Sequence, residues 1–84
     1  MLFRSDPASG RVLRVFTTQP AVQVYSANFL YGQPGKDGKI YKQRSALCLE
    51  TQDFPNAVNI SDFPSVILRP GQTYRHACIY QFGE

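Results

Sequence analysis

A chain of 84 residues and 9.5 kDa has room for one domain at most, and it lies near the lower limit at which a single core sustains itself. Its 43% apolar and 18% charged content excludes a disordered tail, and no apolar run approaches the ~20 residues that cross a bilayer. The net charge of +3 rests on scattered basic residues and not on a stripe, so neither a nucleic-acid partner nor a membrane partner is expected.

Met1 to Asp6 lack the basic-then-apolar order of a signal peptide, and a cytoplasmic location is expected. Helix signals are nearly absent. Glu50 and Glu84 are the only glutamates, and every longer stretch meets Pro or Gly before an apolar stripe at helical spacing develops. Val12–Thr18 is rich in β-branched and aromatic residues, follows the turn signal Ser9-Gly10 and stops before Pro20, which predicts a strand. Beyond Pro20, Val22–Ser26 alternates polar and apolar residues around Gln23 and predicts a second one.

Gly32–Lys39, with Gly32, Pro34, Gly35 and Asp37-Gly38, predicts a long loop without regular structure. Lys36, Lys39, Lys42 and Arg44 make the one local excess of positive charge and read as a solvated loop. Ala46–Thr51 then predicts a buried strand whose parity sends Leu47 and Leu49 to one face and Ala46, Cys48, Glu50 and Gln52 to the other. Asp53–Ser65, broken by Pro55 and Pro64, predicts a loop with a short turn of helix. Val66–Leu68, the turn Arg69-Pro70-Gly71-Gln72, and Thr73–Phe82 predict a closing hairpin whose last strand aligns Tyr74, His76, Cys78, Tyr80 and Phe82 on one face. The architecture expected is all-β and antiparallel, with five or so strands forming part of a sandwich.

Glu50 is the residue whose placement most needs a reason. A carboxylate in an apolar strand costs several kcal/mol to bury unless it is paired. It either serves a ligand face, or lies at a strand end near water, or pairs with an arginine such as Arg44 or Arg69. Gln23, between two valines, suits a sugar hydroxyl or plain solvent. His76 has the reference pKa of a general acid, but its neighbours Tyr74 and Cys78 favour a packed strand histidine. Cys48 and Cys78 are too far apart in sequence for a metal motif and are expected to be reduced and buried. The sequon Asn59-Ile60-Ser61 carries little weight without a signal peptide.

Thr17-Thr18-Gln19-Pro20, Val22-Gln23-Val24-Tyr25 and Asn28-Phe29 are followed by Cys48-Leu49-Glu50-Thr51-Gln52 and Pro55-Asn56-Ala57-Val58-Asn59. Then come Phe63-Pro64, Leu68-Arg69-Pro70-Gly71, Tyr74 and His76. This ordered set, from about Asp6 to Phe82, resembles the C-terminal part of the aldose 1-epimerase (galactose mutarotase) family. The resemblance implies that residues 1–84 form the C-terminal segment of a galactose mutarotase-like β-supersandwich, incomplete without further chain upstream. It implies an isomerase that interconverts the α and β anomers of aldohexoses such as galactose and glucose, with no cofactor and no metal.

By the same resemblance, Glu50 falls on the general base that deprotonates the anomeric hydroxyl, and Gln23 on a residue that contacts the sugar. The family's acid histidine, a second histidine, and the asparagine, arginine and aspartate that hold substrate fall upstream of the region this chain resembles. His76 matches a closing-strand position and not the acid, so the isolated chain is expected to be inactive. Asn56 stands where family members often carry aspartate, and Gln43-Arg44 departs from the usual approach to the base strand. The competing reading is a noncatalytic carbohydrate-binding or interaction module on the same scaffold. Exposed strand edges would let the chain associate with itself. A basic nucleic-acid-binding β-domain is disfavoured, because no strand face interleaves aromatic with basic residues.

Overall fold

The computed structural model describes the backbone of residues 1–84 and every side chain except that of Phe3. Among the described residues the strands are β1 (Leu2–Ser5), β2 (Val12–Thr17), β3 (Ala21–Tyr25), β4 (Gln33–Pro34), β5 (Ile40–Tyr41), β6 (Cys48–Gln52) and β7 (Cys78–Gly83). Two short 3-10 turns, Lys36–Gly38 and Ala57–Asn59, are the only helical pieces among them. None is long and apolar enough to cross a membrane. The chain is all-β and every ladder is antiparallel.

β2 is the centre of a three-stranded sheet ordered β1-β2-β7. Its register sets Val15 opposite Leu2 on one side and Tyr80 on the other, and Val15 is fully buried. Leu13 faces Phe82 in the same ladder, so Leu13, Val15, Tyr80 and Phe82 share one sheet face. At Thr17 the strand ends. The Gln19 amide donates to the Thr17 hydroxyl at 3.0 Å, and Pro20, which has no N–H to give a ladder, turns the chain away. β3 then pairs with β6 in a separate two-stranded sheet.

The predicted closing hairpin does not form. The Arg69–Gln72 turn is present, with the Gln72 amide donating to the Arg69 carbonyl at 3.1 Å and Gly71 at φ 85°, a left-handed value that suits glycine. Val66–Leu68, however, is not a strand, and the final strand starts at Cys78 and not at Thr73. A tight turn satisfies only its own backbone. The long-range pairing of β7 with β2 wins because it sets apolar Tyr80 and Phe82 beside Val15 and Leu13. His76 and Tyr74 are therefore exposed residues ahead of the strand, and not members of a packed strand face.

Three further differences have local causes. β1 was not expected, because Leu2–Ser5 shows no alternation; it exists because the free edge of β2 accepts it through the turn in which the Gly10 amide donates to the Asp6 carbonyl at 2.8 Å. The expected structureless loop holds a small ladder, β4 with β5, around the 3-10 turn at Lys36–Gly38. Both cysteines are free, as expected, yet both are exposed and not buried, since they project from faces that nothing in the chain covers. The expected turn of helix after Pro55 is found at Ala57–Asn59. Asn56 precedes it at φ 59°, a left-handed conformation that asparagine tolerates better than most residues, and accepts from the Asn59 amide at 2.7 Å.

The core is small. Among the described residues Val15, Ala27, Leu49 and Ala57 are its buried apolar residues, whereas Ile79 is 61% and Phe82 78% exposed. The radius of gyration is 16.8 Å, against roughly 12 Å for a closed domain of this length. The accessible surface is 6994 Å², where a monomeric protein of this mass exposes about 5000 Å². That excess is more than the roughly 800 Å² one partner contributes to an ordinary interface. The chain on its own is therefore predicted to associate. Size-exclusion chromatography with light scattering should give a mass above the 9.5 kDa of one chain. A monomer with a cooperative melt would contradict the prediction.

Candidate functional site

The two polar residues singled out from the β-strand pattern meet across one ladder. In the antiparallel register of β3 and β6, Gln23 lies directly opposite Glu50. Directly opposed residues project to the same face with Cβ atoms about 4.5–5.5 Å apart. Ala21 with Gln52 and Tyr25 with Cys48 are the flanking pairs on that face, so the β6 side of it is small and polar and Tyr25 is its one aromatic member. Val22 with Thr51 and Val24 with Leu49 take the other face, where Leu49 is buried. The parity read in the sequence for the strand that carries Glu50 thus survives intact, although β6 runs Cys48–Gln52 and starts two residues later than expected.

Glu50 occupies the middle of β6 and is exposed. The burial cost that made it conspicuous in the sequence is not incurred, and it is not a strand-end residue. Arg44 and Arg69, the ion-pair partners considered above, enter the described hydrogen bonds through their backbones, to the Ala27 carbonyl at 3.0 Å and the Gln72 side chain at 2.8 Å. The side-chain amide of Gln23 donates to the carbonyl of its neighbour Val24 at 3.3 Å, a long bond at the edge of the useful range. Such an amide is easily turned toward a ligand.

Beside Glu50 opens a cleft of about 470 Å³, walled by Leu13, Leu47, Cys48, Tyr80 and Phe82. The three-stranded sheet reaches β6 here. The Tyr80 hydroxyl donates to the Leu49 carbonyl at 2.6 Å across 31 residues of sequence. The period-two pattern assigns Tyr80 to an aromatic packing face and gives no sign of a partner for its hydroxyl. Nothing local to Tyr80 could have pointed to it, because the acceptor is a backbone carbonyl on a strand that β7 does not pair with.

His76 lies elsewhere. Its Nε2 is 3.0 Å from the Thr51 hydroxyl, and Thr51 projects from the face of β6 opposite to Glu50. Its ring stands edge-on to Tyr74, centroids 6.4 Å apart, and the Tyr74 hydroxyl accepts from the Gln19 amide at 2.9 Å. These contacts hold the run ahead of β7 against the corner at Gln19. They do not bring an imidazole to Glu50. Among the described residues no group of three or more His, Cys, Asp or Glu side chains is placed to hold a metal ion.

Fold and site together define the class first: an antiparallel β chain that presents a carboxylate and an amide side by side on an open sheet face. The chain belongs to the aldose 1-epimerase family, whose family model matches residues 2–81. Over 76 residues it is 53% identical to galactose mutarotase of Rattus norvegicus and 55% identical to that of Homo sapiens. Each of these matches takes in 89% of this chain and 22% of the relative. Aldose 1-epimerase of Escherichia coli strain K12 is 40% identical over 72 residues, 83% of this chain and 21% of that protein. The chain therefore spans less than a quarter of the length of the relatives it matches.

The surroundings of Tyr80 give a pH prediction. Loss of water around the phenol raises its pKa above the ordinary 10.0, and the negative charge available at Cys78, Cys48 and Glu50 pushes in the same direction. The folded chain thus holds the proton more tightly than the unfolded chain. Its contribution to stability is complete below pH 10 and is lost as pH rises through the folded value. An ultraviolet titration should show one phenol ionising later than the rest, absent in Tyr80→Phe. Identical titrations for both proteins would contradict the assignment.

Proposed function

We propose that this chain supplies the base side of an aldose 1-epimerase active site, with Glu50 as general base and Gln23 as a sugar contact. The observation that carries the reading is the opposition of Gln23 and Glu50 on one exposed sheet face. The substrates are free aldohexoses such as galactose and glucose. Their adjacent hydroxyls suit a carboxylate that accepts and an amide that both donates and accepts.

In the reaction, a Glu50 carboxylate oxygen takes the proton of the anomeric hydroxyl. The electron pair left on that oxygen closes the C1 carbonyl as the bond from C1 to the ring oxygen breaks, and an acid protonates the ring oxygen. Rotation about the C1 to C2 bond and the reverse sequence then give the other anomer. No described residue stands ready as that acid, since His76 bonds Thr51 on the opposite face of β6. The acid belongs to chain that this segment docks against, so catalysis requires the rest of the domain. A noncatalytic sugar-binding role is the outcome the test below separates from this one.

The test uses a hybrid in which this chain replaces the matched segment of Homo sapiens galactose mutarotase. Glu50→Gln keeps the shape of the side chain and removes its basicity, and turnover should fall by ~10² to 10⁴ while sugar binding persists. Gln23→Ala should weaken sugar binding by roughly 0.5–1.5 kcal/mol, the net value of one hydrogen bond, with a smaller effect on turnover. Turnover of Glu50→Gln within a factor of about ten of the parent, well short of the loss a general base predicts, would refute the assignment of the base. An inactive parent hybrid that still binds sugar would favour the noncatalytic module.

A further inference from the structure

We propose that Tyr80 is a positioning residue for Glu50, holding the base through the peptide that precedes it; the proposal rests on the reading of Glu50 as general base. The Tyr80 hydroxyl donates to the Leu49 carbonyl at 2.6 Å, a short hydrogen bond. That carbonyl and the Glu50 N–H belong to one planar peptide unit, so fixing the oxygen fixes the plane from which the Glu50 Cα departs. A carboxylate on an exposed strand has several rotamers. The backbone under it is what the protein can hold still.

The anchor is itself held. Tyr80 sits in the β2–β7 ladder directly opposite Val15, which is fully buried at the centre of its sheet. β6, by contrast, has only β3 as a ladder partner among the described residues. The phenol thus ties the less supported strand, which carries the base, to the best supported strand of the chain. Tyr80 and Glu50 also line one and the same cleft.

The geometry separates this role from simple packing. A packing role needs the ring, which phenylalanine retains, whereas a positioning role needs the hydroxyl. In the hybrid enzyme, Tyr80→Phe should lower kcat by roughly tenfold to a hundredfold, the scale at which misplacement of a catalytic group is felt, with KM little changed. The same substitution made in Glu50→Gln should lower the residual rate no further, because the base it positions is gone. A crystal structure of Tyr80→Phe should show the Leu49–Glu50 peptide and the carboxylate displaced.

An unchanged kcat, an equal loss in both backgrounds, or an unmoved carboxylate would each overturn the proposal. If Glu50→Gln alone kept full turnover, the base assignment would fail by itself, and the crystal structures would still decide whether Tyr80 holds Glu50. Should Tyr80→Phe not fold, 3-fluorotyrosine in place of Tyr80 keeps the shape and the donor while lowering the phenol pKa. The ratio of its kcat to that of the parent should then fall as pH rises through the lowered phenol pKa, whatever the pH at which the acid ionises. A ratio that does not change with pH would overturn the proposal.

Discussion

The register of β3 against β6 is the constraint on which the site depends. Side chains alternate along a strand with a period of two, so Gln23 and Glu50 share a face only while they stand opposite one another or an even number of residues apart. A slip of one residue would send Glu50 to the side of Leu49 and Thr51, away from Gln23. What holds the register is the same alternation read from below. Leu49 is buried, and its face pairs Val24 and Val22 with Leu49 and Thr51, while the upper face pairs Tyr25, Gln23 and Ala21 with Cys48, Glu50 and Gln52. Leu49 is the one buried side chain among the four on its own face, Val24 being 42% exposed, so the burial of Leu49 is what a slip of one residue would lose.

Around that ladder the chain is organised by one long-range choice, the pairing of the last strand with β2. This pairing buries Val15 and places Tyr80 where its hydroxyl reaches the Leu49 carbonyl. The two sheets are thus joined next to Glu50. The segment before β7 is fastened separately, by the Thr18 amide to the Ala77 carbonyl at 3.1 Å and by His76 to Thr51. Much apolar surface stays exposed around these two sheets. Each relative has more than four times the length that this segment matches, so a domain of that length would offer further chain to the strands and apolar faces left open here.

How much of this was legible in the sequence follows from the range of each interaction. Alternation in Val22–Tyr25 and Ala46–Thr51 revealed two strands and their faces, because the signal is local and repeats every second residue. It did not reveal that the two strands pair, or that Gln23 meets Glu50; the family resemblance linked these residues and the register gave the distance a physical basis. The hairpin expected at Arg69–Gln72 failed because a turn signal is local and says nothing about which strand its flanks prefer. β1 escaped notice because Leu2–Ser5 is strand only by virtue of the edge it meets. Cys48 and Cys78 were expected in a core that this chain does not close around them. The Tyr80 hydroxyl was invisible for the plainest reason, since a backbone acceptor leaves no mark on the sequence.

The central claim is that Glu50 and Gln23 together grip the reacting end of a sugar. A crystal structure of the hybrid enzyme with galactose tests it most directly. The account predicts a Glu50 carboxylate oxygen about 2.6–3.2 Å from the anomeric oxygen, the reach a general base needs, with the Gln23 amide on a hydroxyl of the same sugar. Galactose bound with its anomeric oxygen out of reach of Glu50, or on the opposite face of β6 beside Thr51, would contradict it.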